Sequence, residues 1–120
     1  MSCGRCVLLV DSDRTALEHL SASLTAANFK VTTARNGHEA LEKFYPSTTD
    51  VLITACHMPR MAGAELCHRI RLTHPALPLI LRCPAETPAA FETIPGPVGR
   101  IPPTAEAASL IDMLHRMGLG

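Results

Sequence analysis

Two acidic residues, Asp11 and Asp13, follow directly after the apolar run Cys6–Val10. Carboxylates at the end of a buried strand could bind a divalent cation such as Mg²⁺, which prefers oxygen ligands. The same residue types also accept hydrogen bonds from the free N–H groups at the start of a helix. Because a helical pattern begins at Arg14, we expect these residues and the intervening Ser12 to cap that helix. Weak Mg²⁺ binding at the two carboxylates is the lesser alternative.

A loop that runs from Cys56 to Gly63 follows another buried strand, Val51–Ala55. Pro59 and Gly63 interrupt regular structure there, and a helical pattern starts immediately afterwards. Ligands of open α/β sheets bind at the carboxyl ends of strands, so this loop is the first place to look for function. Its chemically reactive side chains are Cys56 and His57. A thiol needs a basic neighbour to become reactive, and the sequence indicates none, so we expect Cys56 to be packed and His57 to be exposed.

Apolar, β-branched runs alternate with helical patterns along the chain. The predicted strands are Cys6–Val10, Lys30–Ala34, Val51–Ala55, Pro78–Arg82 and Val98–Ile101. The predicted helices are Arg14–Ala27, His38–Tyr45, about Ala64–Leu72, and a last helix with Thr104 as its N-cap and an apolar stripe that extends to Met117. Four prolines between residues 83 and 102 leave room for only one short helix, from about residue 88 to residue 93.

Five βα units predict an α/β fold. We expect a single domain over residues 1–120, with a flavodoxin-like (βα)5 three-layer sandwich. Its parallel five-stranded sheet would have the order 2-1-3-4-5, and its fourth helix would be shortened or irregular.

The composition narrows the classes of partner. Lys plus Arg equals Asp plus Glu, at 11 each, so the formal net charge is zero. Nucleic acids and anionic membranes usually bind a basic face, and we therefore expect neither as a partner. No apolar run approaches the ~18 residues of a membrane span, and the first residues lack the pattern of a signal peptide. Five cysteines, an odd number without a secretory signal, indicate reduced thiols in a cytoplasmic domain.

The stretch Asp50–Gly63 resembles the phosphorylation loop of response-regulator receiver (CheY-like) domains. The family pattern has an Asp, a phosphoacceptor Asp five residues later, then Met-Pro and a Gly. Four residues match it here: Asp50, Met58, Pro59 and Gly63. The acidic end of the first strand and the five βα units extend the resemblance over nearly the whole chain. In such domains carboxylates hold Mg²⁺ and one of them accepts a phosphoryl group, so the resemblance implies two-component, phosphorelay-type signal transduction.

This chain departs from the family pattern at several positions. The phosphoacceptor position falls on Ala55, whose methyl group cannot accept a phosphoryl group. Ser12 stands at the second acidic position. The two switch positions, a hydroxyl residue and a lysine in the family, fall on Cys83 and Pro102. With Asp11 as the only matched acid, we expect no tight Mg²⁺ binding, no cofactor, no catalytic residue and no enzyme activity.

These departures predict a degenerate receiver domain that acts without phosphorylation as a protein–protein interaction module. Its partner would be a signalling protein or an attached output or kinase domain, and a homodimer is a further option. The resemblance implies an output surface on the fourth helix, fifth strand and fifth helix. The alternative is a ligand- or metal-sensing domain that reuses the vacated pocket, where Cys56, His57 and Cys83 could converge on Zn²⁺ or a small organic molecule. Phosphorylation moved to Asp13 or Asp50 ranks third.

The resemblance also implies an unusual peptide bond. The family has a cis bond at the Lys-Pro pair that corresponds to Pro102–Pro103. A bond before proline tolerates the cis form far better than other peptide bonds do. We therefore expect the Pro102–Pro103 bond to be cis.

Overall fold

The computed structural model describes residues 5–45, 47–84 and 94–119. The strands in these ranges are Cys6–Val10 (β1), Lys30–Ala34 (β2), Val51–Ala55 (β3), Leu79–Arg82 (β4) and Val98–Ile101 (β5). The helices in these ranges are Arg14–Ala26 (α1), Gly37–Lys43 (α2), Gly63–Arg71 (α3) and Ala107–Arg116 (α4). The predicted short helix at residues 88–93 lies outside the described residues. The label α4 therefore belongs to the helix that the sequence predicts as the fifth. None of the described helices is long and apolar enough to cross a membrane.

The strands form one parallel sheet in the order β2-β1-β3-β4-β5, which confirms the predicted topology. Successive side chains of a strand point to opposite faces of the sheet. On one face, Leu52 and Leu81 pack with residues of α2 and α3. On the other face, Ile53 and Ile80 pack with residues of α1 and α4. Helices therefore cover both faces, which explains why the central strands are mostly apolar.

The carboxyl ends of the strands meet at one edge because all strands run in the same direction. The register pairs Val10 with Thr54 and Ala55 with Arg82. Continued by one residue, the pairing of β1 with β3 brings Asp11 beside Ala55. Asp11, Ala55 and Arg82 thus stand in a row on three neighbouring strands. Their side chains share the face of the sheet that α1 and α4 cover.

Of the three residues after β1 that were predicted to cap α1, the structure confirms Asp13. Asp13 is the N-cap of α1, and its Oδ1 accepts hydrogen bonds from the backbone N–H groups of Thr15 (3.0 Å) and Ala16 (3.3 Å). The Asp11 carboxylate does not bond to the helix itself. Its Oδ1 accepts the N–H of Asp13 at 2.9 Å and so holds the N-cap residue in place.

The start of the last helix differs from the prediction. Thr104 is not its N-cap, because α4 begins at Ala107 with Glu106 in the N-cap position. Glu106 makes no side-chain capping bond. The residues before it form a turn, closed by a hydrogen bond from the Ala105 N–H to the Pro102 carbonyl at 3.0 Å, and this turn delays the helix.

The peptide bond between Pro102 and Pro103 is trans, so the expectation of a cis bond is wrong. The cis bond was implied by a Lys-Pro pair, and this chain lacks the lysine. Without a constraint that selects cis, the trans form of a bond before proline is favoured by ~0.5–1 kcal/mol. The Pro103 carbonyl accepts a hydrogen bond from Arg82 Nη2 at 2.9 Å, which ties the turn to β4.

Arg71 is a buried residue of α3 that joins two connections of the chain. Its Nη1 donates to the carbonyls of His74 (2.9 Å) and Leu77 (2.7 Å), in the connection before β4. Its Nη2 donates to the Pro97 carbonyl (3.1 Å), just before β5. One guanidinium thus bonds to three carbonyls, of which those of His74 and Pro97 also accept the backbone N–H groups of Leu77 and Leu79.

Gly63 allows the loop after β3 to close against the end of that strand. Its N–H donates to the Cys56 carbonyl at 2.9 Å. A Cβ at residue 63 would collide with the carbonyl oxygen of Ala55. The loop can therefore keep this path only if residue 63 has no side chain.

We expect Gly63→Ala to lower the free energy of unfolding by about 1–3 kcal/mol, because the added methyl group must displace the backbone of β3. Urea denaturation measures the change. Ala62→Ser is the matched control: Ala62 is the exposed N-cap of α3 and makes no side-chain capping bond. A serine there should add roughly 0.5–1 kcal/mol. Equal stability of Gly63→Ala and the wild type would contradict this account of the loop.

Candidate functional site at the carboxyl edge of the sheet

A cavity of about 240 Å³ lies at the carboxyl edge of β1, β3 and β4. Its lining includes Asp11, Asp13, Ala55, His57 and Arg82. The structure therefore brings Asp11 and Asp13 together with Ala55 and the start of the loop. Arg82 is the member of this group that the sequence analysis missed.

Arg82 and Asp11 form a buried ion pair. Arg82 Nη1 donates to Asp11 Oδ2 at 2.6 Å, and each side chain is only 9% exposed. Arg82 Nη2 donates to the Pro103 carbonyl, and the second Asp11 oxygen accepts the N–H of Asp13. A charge at this depth is tolerated only when it is paired and its remaining polar atoms are hydrogen-bonded. Both charges meet that condition here.

Ala55 lies between the two partners of the ion pair. Neighbouring strands are about 4.8 Å apart, so the Arg82 side chain must extend across β3 to reach Asp11 on β1. The methyl group of Ala55 leaves space for the guanidinium above β3. An aspartate at this position would meet the guanidinium before Asp11 does. The alanine is therefore part of the geometry of the ion pair.

The residues of this edge do not fit a Mg²⁺ ion. Such an ion needs a near-octahedral set of oxygen ligands, usually with one or two free carboxylates. The Asp11 carboxylate is occupied by Arg82 and a backbone N–H, and the Asp13 side chain caps α1. Ala55 offers no side-chain oxygen. The guanidinium already supplies positive charge where a cation would be needed.

Cys56, His57 and Cys83 do not converge on one site, although the two cysteines lie side by side. His57 is exposed and borders the cavity beside Asp11. Cys56 is packed, as predicted, at 2% exposure. Cys83 belongs to the core on the other face of the sheet and borders a separate surface cavity that Pro102 also lines. Across residues 5–45, 47–84 and 94–119, no three His, Cys, Asp or Glu side chains are placed to hold a metal ion.

The remaining predicted residues lie around the site rather than in it. Ser12 and Pro59 border a neighbouring surface depression. Met58 is half-buried, with its sulfur 4.0 Å from Thr54 Oγ1. Asp50 lies at the opposite edge of the sheet, where its Oδ2 accepts the Cys6 N–H at 2.7 Å. This distant position gives Asp50 a structural role at the start of β1.

We expect a double-mutant cycle to measure strong coupling between Asp11 and Arg82. Arg82→Met leaves a buried, unpaired carboxylate and should cost about 3–5 kcal/mol of unfolding free energy. Arg82→Met combined with Asp11→Asn should cost much less than the sum of the single changes. As a control, the exposed pair Arg14–Glu18, 3.2 Å apart, should couple by less than ~1 kcal/mol. Additive effects at Asp11 and Arg82 would contradict the ion pair.

Known proteins of similar sequence have a common description. Residues 7–93 match the model of the response regulator receiver domain family. Response regulator MprA of Mycobacterium ulcerans is 37% identical over 75 residues, which cover 62% of this chain and 32% of MprA. MprA of Mycobacterium leprae is also 37% identical over 75 residues, with 62% and 33% covered. The chain spans about a third of the length of these curated relatives.

Solved structures resemble the fold over nearly its full length. The chemotaxis response regulator CheY4 of Vibrio cholerae superposes with a TM-score of 0.84 at 26% identity, covering 94% of this chain and 98% of CheY4. The receiver domain of a signal transduction histidine kinase from Syntrophus aciditrophicus has a TM-score of 0.84 at 23% identity, with 95% and 89% covered. Sheet order, sequence match and structural likeness agree, and the chain belongs to the response regulator receiver domain family, CheY-like in fold, of two-component signalling.

Proposed function

We propose that this receiver domain works without phosphorylation, as a protein–protein interaction module whose state is set by an internal ion pair. The supporting observation is the Arg82–Asp11 pair that extends across Ala55. In a phosphorylated receiver, the family resemblance implies a carboxylate at the end of β3 and a Mg²⁺ ion that neutralises the transferred group. Here that position has no nucleophile, and a guanidinium neutralises the remaining acid.

The ion pair also connects the end of β4 to the segments that follow β1 and β5. Asp11 follows β1 and bonds to the N–H of the residue that caps α1. Arg82 ends β4, and its second nitrogen bonds to Pro103 in the turn between β5 and α4. We infer that this single guanidinium holds the turn, and with it the neighbouring surface of β5 and α4, in one arrangement. No added ligand would be needed to reach that arrangement.

A protein partner fits the composition of the chain. Acidic and basic residues are equal in number, which argues against binding to nucleic acid or to an anionic membrane. The similar proteins are described as response regulators and as the receiver domain of a histidine kinase. The partner we propose is a signalling protein, an attached output or kinase domain, or a second copy of this domain. A cytoplasmic location and the lack of enzyme activity belong to the same proposal.

The sensing alternative has less support. The cavity beside Asp11 measures about 240 Å³, below the ~300–1,000 Å³ that is usual for small-molecule sites. Two of its charged groups, Asp11 and Arg82, are already paired with each other, and the Asp13 side chain caps α1. In the part of the chain that the structure describes, no cluster of metal-binding side chains is available for Zn²⁺.

We expect acetyl phosphate with Mg²⁺ to add no phosphoryl group to the chain, because the position at the end of β3 offers no side-chain oxygen. Intact-mass spectrometry measures this directly. A receiver domain with an aspartate at the position of Ala55, treated in the same way, serves as the positive control. A stoichiometric mass gain would contradict the proposal, and Asp13→Asn and Asp50→Asn would then locate the acceptor.

We expect Arg82→Met to speed hydrogen exchange of the turn between β5 and α4, because the bond to the Pro103 carbonyl is lost. Exchange at the Ala105 N–H, which bonds to the Pro102 carbonyl, is the most direct readout. Arg82→Lys is the matched variant, since it keeps the charge but not the two-nitrogen fork. It should give an intermediate rate. Unchanged local exchange in Arg82→Met, relative to β2 in the same molecule, would refute the proposed role in fixing this turn.

A further inference from the structure

Two cysteines stand side by side on the sheet face opposite the ion pair. The Cys56 N–H donates to the Arg82 carbonyl at 3.1 Å, so the ladder between β3 and β4 continues one residue beyond the pairing of Ala55 with Arg82. This register aligns Cys56 with Cys83. Neighbouring strands are about 4.8 Å apart, which lies within the ~4.4–6.8 Å range of Cα separations in disulfides. Both side chains belong to the same core cluster, so they point to the same face.

Each of the two cysteines is among the residues that line a surface cavity, although both are nearly buried. Cys56, at 2% exposure, lines the cavity of about 240 Å³ beside Asp11. Cys83, at 3% exposure, lines a cavity of about 300 Å³ with Arg100 and Pro102. The Cys56 side chain points to the other face of the sheet from the cavity beside Asp11, so a small oxidant would approach through the cavity that Cys83 lines. Cys67, fully buried in the same cluster, is not among the residues that line these two cavities.

We propose that Cys56 and Cys83 form a reversible disulfide with a low-molecular-weight disulfide as oxidant, so that the domain carries a redox-responsive site. The Cys83 sulfur attacks the oxidant, one S–S bond breaks, and one small thiol leaves. The Cys56 sulfur then attacks the mixed disulfide at Cys83 and releases the second small thiol. The protein loses two hydrogens, which end on the two released thiols. This inference depends on the cysteine geometry and not on whether the chain accepts a phosphoryl group.

The electrostatic surroundings determine how fast this exchange should be. Burial, and then the hydrogen bond with the Cys56 thiol, raise the pKa of Cys83, and the positive charge of Arg100 opposes them. The thiolate is the attacking species, so exchange at neutral pH should be slow. Burial also raises the pKa of Cys67 to about 12, and we expect this thiol to stay reduced.

The test uses the full chain with Cys3 and Cys6 replaced by serine, incubated with mixtures of reduced and oxidised glutathione. Trypsin places the remaining cysteines on separate peptides, 44–60 for Cys56, 61–69 for Cys67 and 83–100 for Cys83. We expect a loss of two hydrogens, reversed by dithiothreitol, and a cross-link between peptides 44–60 and 83–100. The rate should rise about tenfold per pH unit between neutral and mildly alkaline conditions.

Alanine variants of the three remaining cysteines show which two are joined and whether the reaction is specific to them. Cys67→Ala should still form the cross-link, whereas Cys56→Ala and Cys83→Ala should not. A bridge that involves peptide 61–69, or glutathione adducts without a cross-link, would overturn the proposal. So would the absence of any mass change in the folded chain under conditions that cross-link the urea-unfolded chain. If circular dichroism shows that an alanine variant does not fold, the peptide map of the chain that keeps Cys56, Cys67 and Cys83 still tests the proposal.

Discussion

Two opposite charges buried at the end of a sheet form the constraint on which this edge of the molecule depends. The Arg82 and Asp11 side chains are each 9% exposed, and at this depth each charge needs the opposite charge to offset its lost hydration. Their geometry requires a small residue at position 55 on the strand between them. It also uses the Pro103 carbonyl and the Asp13 N–H as further partners. This ion pair involves Asp11 and passes Ala55, two positions that the family resemblance assigns to phosphoryl transfer.

Consecutive side chains at the ends of β3 and β4 point to opposite faces of the sheet, so the two faces carry different chemical groups. Ala55 and Arg82 face α1 and α4, where the ion pair lies, whereas Cys56 and Cys83 enter the core beneath α2 and α3. Consecutive residues of a strand cannot share a face, so the ionic and thiol groups are separated by the sheet itself. A substitution in the ion pair therefore need not disturb the two thiols directly, and a change at the thiols need not disturb the ion pair. The proposed ion-pair state and the proposed disulfide are in this sense independent features of the same edge.

Much of this architecture was predictable, because it depends on local patterns. Short β-branched runs and helical spacings gave the elements, and the parallel order of the strands followed from their alternation. The interpretation of Asp13 as a helix cap was correct for the same local reason. The prediction for Thr104 was wrong because a turn over residues 102–105 delays the helix. The prediction of a cis Pro102–Pro103 bond was wrong because it was taken from a family pair whose lysine this chain lacks. Arg82 was missed although a charged residue that ends an apolar strand is an available signal.

The sequence by itself determined the strands, the order of the sheet, the absence of a nucleophile at Ala55 and the thiols that follow two strands. These properties are encoded within a few residues of one another, or in residue identity alone. Only the tertiary structure decided that Arg82 crosses β3 to reach Asp11, 71 residues away, and that Cys56 aligns with Cys83. Both outcomes depend on strand register, because a shift by one residue would move every side chain to the other face.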